Sequence, residues 1–261
     1  MPDFLDQMVR SSAERLGVAR QVTTESDMRR AAESMPPARE LRLGNDFGVI
    51  AEVKRAAPSA GVLRAEVDVA ERARQYEQAG AKAVSVLTEP DRFGGSLIDL
   101  RSASAGTSLP VMRKDFLVDP YQVYEARANG ADGVLLIAAV LDDSTLRESL
   151  SVAAYLGMFA LVEAFNELDI ERAQVAGAEL IGVNCRNLRD LSVDFKRFKD
   201  LRDLIDPDRR AVAESGINTR EEFREVESLG YHAALIGSAL MREEDPTATL
   251  QRLRGECEAS R

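Results

Sequence analysis

One apolar run after another in this chain closes on a charged residue that chemistry could use. Phe47-Gly-Val-Ile-Ala-Glu-Val-Lys54 ends in Glu52 and Lys54, and Leu109-Pro-Val-Met-Arg-Lys114 ends in Lys114. Gly157-Met-Phe-Ala-Leu-Val-Glu163 and Ala211-Val-Ala-Glu214 end in Glu163 and Glu214. Charge inside a buried strand is costly unless it is paired or working. Its repetition at strand ends predicts one shared site. Glu52 and Lys54 lie two apart, so both point to one face of their strand. Lysines and carboxylates interleaved in one water-poor pocket shift each other's proton affinities and transfer protons without histidine. The plain alternative is a structural ion-pair network.

A second set of residues suits an anion. Glu214-Ser-Gly-Ile-Asn-Thr follows one apolar run, and Ile236-Gly-Ser-Ala-Leu-Met follows another. Ser215, Gly216, Gly237 and Ser238 would leave backbone N–H groups free, as phosphate sites require. The loop Lys54-Arg-Ala-Ala-Pro-Ser-Ala-Gly61, with Ser59, adds small residues and positive charge. The plain alternative is that these glycines only permit tight turns.

These residues need elements to position them. Apolar runs at 47–53, 83–87, 111–114, 133–137, 158–163, 180–184, 210–213 and 233–236 read as strands. Amphipathic segments between them read as helices, at 68–79, 120–129, 144–154, 167–176, 219–229 and 246–254. Gly80, Gly130, Gly177 and Gly230 sit where helix C-caps need glycine. Eight strands alternating with helices predict parallel pairing and an α/β (β/α)₈ TIM barrel over residues 46–261. An open doubly wound sheet is the structural alternative, but no Gly-x-Gly-x-x-Gly fingerprint follows any strand. In such a barrel the active site lies at the C-terminal strand ends, with phosphate at the loops after strands seven and eight. Residues 1–45 differ. Phe4, Leu5, Met8, Val9 and Leu16 fall near helical spacing. Thr24-Glu25-Ser26-Asp27 predicts a capped second helix, ended by Pro36 and Pro37. They form a helical extension packed on the barrel.

The 261 residues carry a formal net charge of -10. That argues against a general nucleic-acid surface or binding to anionic membranes. Cys185 and Cys257 make no disulfide framework, and with the single His232 they make no metal site. No run is long enough to span a membrane and no signal-peptide core is evident, so a reducing cytoplasm is the expectation. His232 precedes the last strand and reads as a surface residue away from the site. Cys185, with no histidine to activate it, reads as packing, as do Tyr121 and Tyr124.

The stretch Pro110-Val-Met-Arg-Lys-Asp-Phe-Leu-Val-Asp-Pro-Tyr-Gln-Val-Tyr-Glu-Ala-Arg127 closely resembles indole-3-glycerol phosphate synthases. So do Val84-Ser-Val-Leu-Thr-Glu-Pro90 with Phe93-Gly-Gly-Ser96, Gly133–Ala138, Ala213–Ile217 and Leu235–Arg242. The resemblance runs in order along nearly the whole chain. It implies the decarboxylating, dehydrating closure of 1-(2-carboxyphenylamino)-1-deoxyribulose 5-phosphate to indole-3-glycerol phosphate, with neither metal nor organic cofactor. It implies Lys114 as the acid on the carbonyl oxygen, Lys54 against the substrate carboxylate, and Glu163 in proton transfer. Glu52 would exchange protons with Lys54. Asn184, Arg186, Glu214 and Ser215 would orient substrate, and Ser59, Gly216, Gly237 and Ser238 would take phosphate. Phe93, Phe116, Leu135 and Leu188 would wall the aromatic ring. No fused glutaminase or isomerase domain is evident, so a stand-alone monofunctional enzyme is expected. Its partner would be an anionic sugar-phosphate substrate, and a monomer, with room for weak self-association, is the expectation for its oligomeric state.

The chain departs from the resemblance in places. Its loop reads Lys54-Arg-Ala-Ala-Pro-Ser59, with Ala57 where a serine usually helps hold the phosphate. One lost hydrogen bond to a charged group costs about 1.5–3 kcal/mol. Asn184-Cys-Arg186 and Glu163-Ala-Phe165 also vary. The alternatives are a paralogue acting on a related sugar phosphate or serving a specialised indole pathway, and a phosphate-binding barrel without activity. An isomerase or epimerase on another sugar phosphate would not need Lys54, Lys114 and Glu163 together, and the intact Lys114 and Glu163 argue against the inactive barrel.

Overall fold

A computed structural model describes residues 3–44 and 46–255, so the expectation for Cys257 lies outside the described residues. Eight parallel strands close into a barrel. They are β1 (Gly48–Val53), β2 (Ala83–Leu87), β3 (Val111–Lys114), β4 (Gly133–Ile137), β5 (Phe159–Ala164), β6 (Leu180–Asn184), β7 (Arg210–Glu214) and β8 (Ala233–Ile236). Each pairs with its sequence neighbours, and β1 closes on β8 through Gly48↔Ala233 and Ala51↔Ile236. The expected strands are all present; β5 runs to Ala164 and β7 reaches Glu214.

Nearly every strand position is buried, because helices cover the outside and side chains fill the inside. Outward residues such as Val49, Ala51, Val84, Leu136 and Val183 join one core beneath the helices. Inward residues Ile50, Met112, Leu135, Leu161, Val212 and Leu235 form a second core. Burying each aliphatic side chain contributes about 1.5–3 kcal/mol. Gly80, Gly130, Gly177 and Gly230 all take positive φ after helices, as their spacing predicts.

Two helices precede the barrel. Helix α1 (Phe4–Val22) is capped by Asp3, which accepts from the Asp6 N–H. Helix α2 (Glu25–Glu33) is capped by Thr24, which accepts from Asp27. The extension is tied down by a buried network. Arg15 donates to both oxygens of Asp115 at 2.9 and 2.8 Å. Asp115 also accepts from Thr88 at 2.7 Å and Arg113 at 3.2 Å. The Tyr121 hydroxyl, buried as expected, donates to the Thr23 carbonyl at 3.0 Å. Leu5 and Met8 enter the inner core of the barrel.

The helix Leu97–Gly106 and the short ribbon Ala56–Ala57 with Gly61–Val62 are further elements. His232 lies before β8 as expected, but it is partly buried rather than free on the surface. Its Nδ1 accepts from the Ala211 N–H at 3.0 Å, and burial lowers its proton affinity. Cys185 is fully buried, and burial pushes its thiol up to about 12. Among the described residues no helix is long and apolar enough to cross a membrane.

Candidate active site

Alternation along the strands puts the charges at the carboxyl ends of β1, β3, β5 and β7 on the inside. Ile50 faces the barrel core, so Glu52 and Lys54 continue the inward row to the mouth. The Lys54 ammonium lies 2.6 Å from Glu52 Oε1, and Glu52 is 2% exposed. Lys114 Nζ donates to Glu163 Oε2 at 3.3 Å and stands 3.8 Å from Glu214 Oε2. Asn184 Nδ2 donates to Glu163 Oε1 at 3.0 Å, while its own Oδ1 accepts from the Arg186 N–H at 3.0 Å. Register supplies these meetings, with Ile137 opposite Glu163 and Asn184 opposite Glu214.

Two glycines make room for the carboxylates. A Cβ on Gly237 would fall 2.2 Å from Glu52 Oε1, and one on Gly182 would fall 2.0 Å from Glu214 Oε1. Gly237 has a φ of -123, which any residue can adopt. Its requirement is therefore space.

The protonation states divide. Burial is the largest influence on Lys114 and works against its charge. Glu163, Glu214 and Glu52 outweigh it and hold the ammonium above its ordinary range. Burial, then the neighbouring Glu163, pushes the Glu214 carboxyl well above the usual carboxylate range. Both its oxygens are buried without a hydrogen-bond partner. A charged acid at Lys114 thus faces a site in which one carboxyl favours the neutral form.

A cavity of about 420 Å³ opens over this set. Its lining brings together Glu52, Lys54, Ser59, Phe93, Lys114, Phe116, Leu135, Asn184, Arg186, Leu188, Glu214, Ser215, Gly216, Gly237 and Ser238. Glu163 is 2% exposed and sits behind Lys114 and Asn184, bordering a second cavity. Phe93 and Phe116 pack at 6.3 Å with Phe4 edge-on to both, forming an apolar wall. After β7, Ser215 and Gly216 both take positive φ, at 69 and 73. This turn lies at the cavity, where its backbone N–H groups are candidates for an anion. Ala57 lines the cavity beside Ser59.

Phe4, Asn218 and Arg242 also line the cavity and are not singled out by sequence reasoning. Arg242 follows Ser238 by about one helical turn, a spacing that could have flagged it. Phe4 carries no such signal, because its place depends on how α1 docks. Among the described residues no group of His, Cys, Asp and Glu is arranged to hold a metal.

Comparison with known proteins gives the relatives of this chain. A family model described as indole-3-glycerol phosphate synthase matches residues 5–253. The indole-3-glycerol phosphate synthase of a Nocardioides species is 45% identical over 255 residues, covering 96% of this chain and 98% of that one. The enzyme of the same name from Lacticaseibacillus casei is 43% identical, covering 92% of this chain and 94% of its own. The crystal structure of 3-hexulose-6-phosphate synthase from Salmonella typhimurium superposes with a TM-score of 0.65 at 14% identity. It covers 79% of this chain and 96% of that one, a likeness of fold alone.

Proposed function

The chain belongs to the indole-3-glycerol phosphate synthase family, and we propose from its geometry how its residues carry the reaction. The activity is the closure of 1-(2-carboxyphenylamino)-1-deoxy-D-ribulose 5-phosphate to indole-3-glycerol phosphate, with loss of CO₂ and water, in tryptophan biosynthesis. The enzyme is a carboxy-lyase. The observation that carries this reading is the Lys114–Glu163–Asn184 arrangement beside the Lys54–Glu52 pair in one cavity.

The substrate presents a carboxylate and a phosphate at opposite ends. Lys54, held by Glu52, takes the carboxylate. Ser59, the Ser215–Gly216 turn, Gly237 and Ser238 take the phosphate. Phe93, Phe116, Leu135 and Leu188 hold the aromatic ring between them. Arg186, Ser215 and Glu214 fix its orientation.

Attack of the ring carbon on the carbonyl builds negative charge on oxygen and positive charge on the aniline nitrogen. Lys114 donates a proton to that oxygen, and its raised proton affinity keeps it charged for the task. Glu163, anchored by Asn184, faces the developing positive charge and takes part in proton transfer. Decarboxylation then restores the ring, and Lys54 with Glu52 assists the loss of water. Residues 1–45 serve as a helical extension packed on the 46–261 barrel. The enzyme works as a cytoplasmic monomer on this small anionic substrate, binding no nucleic acid.

The test is direct. Purified protein is given the carboxyphenylamino-deoxyribulose phosphate and indole fluorescence is followed. Turnover is expected; no product at millimolar substrate overturns the reading.

A further inference from the structure

The reaction has a proton requirement that its main cavity does not meet. The substrate enters as a carboxylate and loses neutral CO₂. One proton goes to the carbonyl oxygen, a second leaves with the resulting hydroxyl as water, and one returns from the carbon beside nitrogen. Each turnover therefore takes up one proton from solvent. The mouth of the main cavity is where the substrate itself sits, so a proton needs another way in.

A second cavity of about 380 Å³ lies on the other side of Glu163. Ile137 and Leu188 line both cavities and form the partition between them. Glu163 borders the second cavity, while its two oxygens are engaged by Lys114 and Asn184, which line the first. It links the two sides, so a proton taken up from the second cavity can pass through it toward the first. The walls of the second cavity are fixed in place. Arg172 donates to the carbonyls of Ala138 and Leu141 at 2.6 and 2.5 Å and to Asp143 at 2.7 Å. Asp169 accepts from the Phe165 N–H at 3.0 Å. Asn166, Asp169 and Asn187 give the lining polar groups suited to water. A volume of this order holds several waters, each claiming about 30 Å³.

We propose that this second cavity is the solvent port of the active site, through which water delivers protons to Glu163 for relay to Lys114. The proposal rests on the role of Glu163 and Lys114 in proton transfer given above. Lys114 gives a proton to the carbonyl oxygen and becomes a neutral amine. A solvent proton, relayed as hydronium through the water in the port, protonates Glu163, and Glu163 passes that proton across 3.3 Å to Lys114. The O–H bond of the glutamic acid breaks as the N–H bond of the ammonium forms, and the carboxylate is restored. No oxidant or reductant is involved.

Filling the port tests it. Ala139 lines the second cavity, is exposed, and touches none of the reacting groups named above. Ala139→Trp plugs the port and leaves the main cavity as it is. The expected result is a fall in kcat of about threefold to tenfold with KM within about twofold, a modest fraction of what general acid catalysis supplies. The solvent deuterium isotope effect on kcat should rise, and a small acid such as imidazolium should restore part of the rate. Ala139→Leu, a smaller plug, should give the same signs at reduced size and serves if the tryptophan variant does not fold. Wild-type kcat, isotope effect and buffer response in the plugged enzyme would overturn the port. So would a fall in kcat that neither deuterium nor imidazolium alters, because that is a packing effect. Glu163→Gln separates the two readings: if it abolishes turnover while both plugged variants behave as wild type, only the port fails.

Discussion

Gly237→Ala is the substitution whose effect the geometry fixes most closely. The glycine follows β8 with a φ of -123, so alanine meets no backbone strain there. Its Cβ would lie 2.2 Å from Glu52 Oε1 and 3.0 Å from Lys54 Nζ. A relaxed contact needs about 3.5 Å, so the carboxylate must retreat by about 1.3 Å. Glu52 is 2% exposed, so its carboxylate can shift only toward the cavity that it lines. Its 2.6 Å contact with Lys54 must give way, and the lysine proposed to receive the substrate carboxylate moves with it. A displacement of about 1 Å in such a group costs about 100-fold in rate, equivalent to about 2.7 kcal/mol. Overpacking adds about 1–3 kcal/mol of lost stability. Steady-state indole fluorescence gives kcat and KM, and thermal unfolding gives the stability. Alanine keeps the backbone N–H, so a glycine that served the phosphate alone would leave both kinetic constants unchanged. A Gly237→Ala enzyme with kcat within about threefold of wild type, set against the expected 100-fold loss, would refute the spatial argument.

Other perturbations probe other parts of the account. Ala57→Ser returns a hydroxyl to the cavity wall beside Ser59; KM should fall by about tenfold, the lower end of what one charge-assisted hydrogen bond provides. An unchanged KM in steady-state assays would show that Ser59 already supplies the contact. Arg15→Leu strips Asp115 of its bidentate partner and should cost about 2–4 kcal/mol in urea unfolding at neutral pH. Burial alone would raise Asp115, but the Arg15 hydrogen bond and the charges of Arg113 and Arg15 hold its carboxyl well below the usual carboxylate range. A depressed carboxyl stabilises the fold above its unfolded pKa and loses that contribution as pH falls toward the folded one. The gap between wild type and Arg15→Leu should therefore be full at neutral pH and narrow below about pH 4; a gap independent of pH would contradict the linkage.

The barrel is legible in the chain because both faces of each strand are buried, which leaves continuous apolar runs between amphipathic helices. The charges stand out because they interrupt those runs, and alternation then aims Glu52, Lys54, Lys114, Glu163 and Glu214 at one mouth. Other features have no local signature. The helix Leu97–Gly106 contains Arg101-Ser-Ala-Ser-Ala-Gly106, whose small residues blur the apolar stripe, although Leu100 and Ala103 are buried. The ribbon Ala56–Ala57 with Gly61–Val62 is too short for any period to show. Phe4 reaches the aromatic wall only because α1 docks through Arg15 and Asp115, a pairing across 100 residues. Gly237 looks like a turn or phosphate glycine until the barrel closes and sets β8 beside Glu52. Gly182 is a glycine within a strand, a sign of close approach, but its neighbour Glu214 comes from another strand. The second cavity is likewise invisible in sequence, because strand ends, the loops after them, the helix Glu167–Val175 and α1 meet to form it.

The most direct measurement is a single turnover of Lys114→Ala with the carboxyphenylamino-deoxyribulose phosphate, followed by indole fluorescence. The phosphate loops, the apolar wall and Lys54 remain, so substrate should still bind. Ring closure should slow by about 10²–10⁴-fold, the contribution of a positioned general acid. Ring closure at the wild-type rate in Lys114→Ala would contradict the central claim that this lysine protonates the carbonyl oxygen.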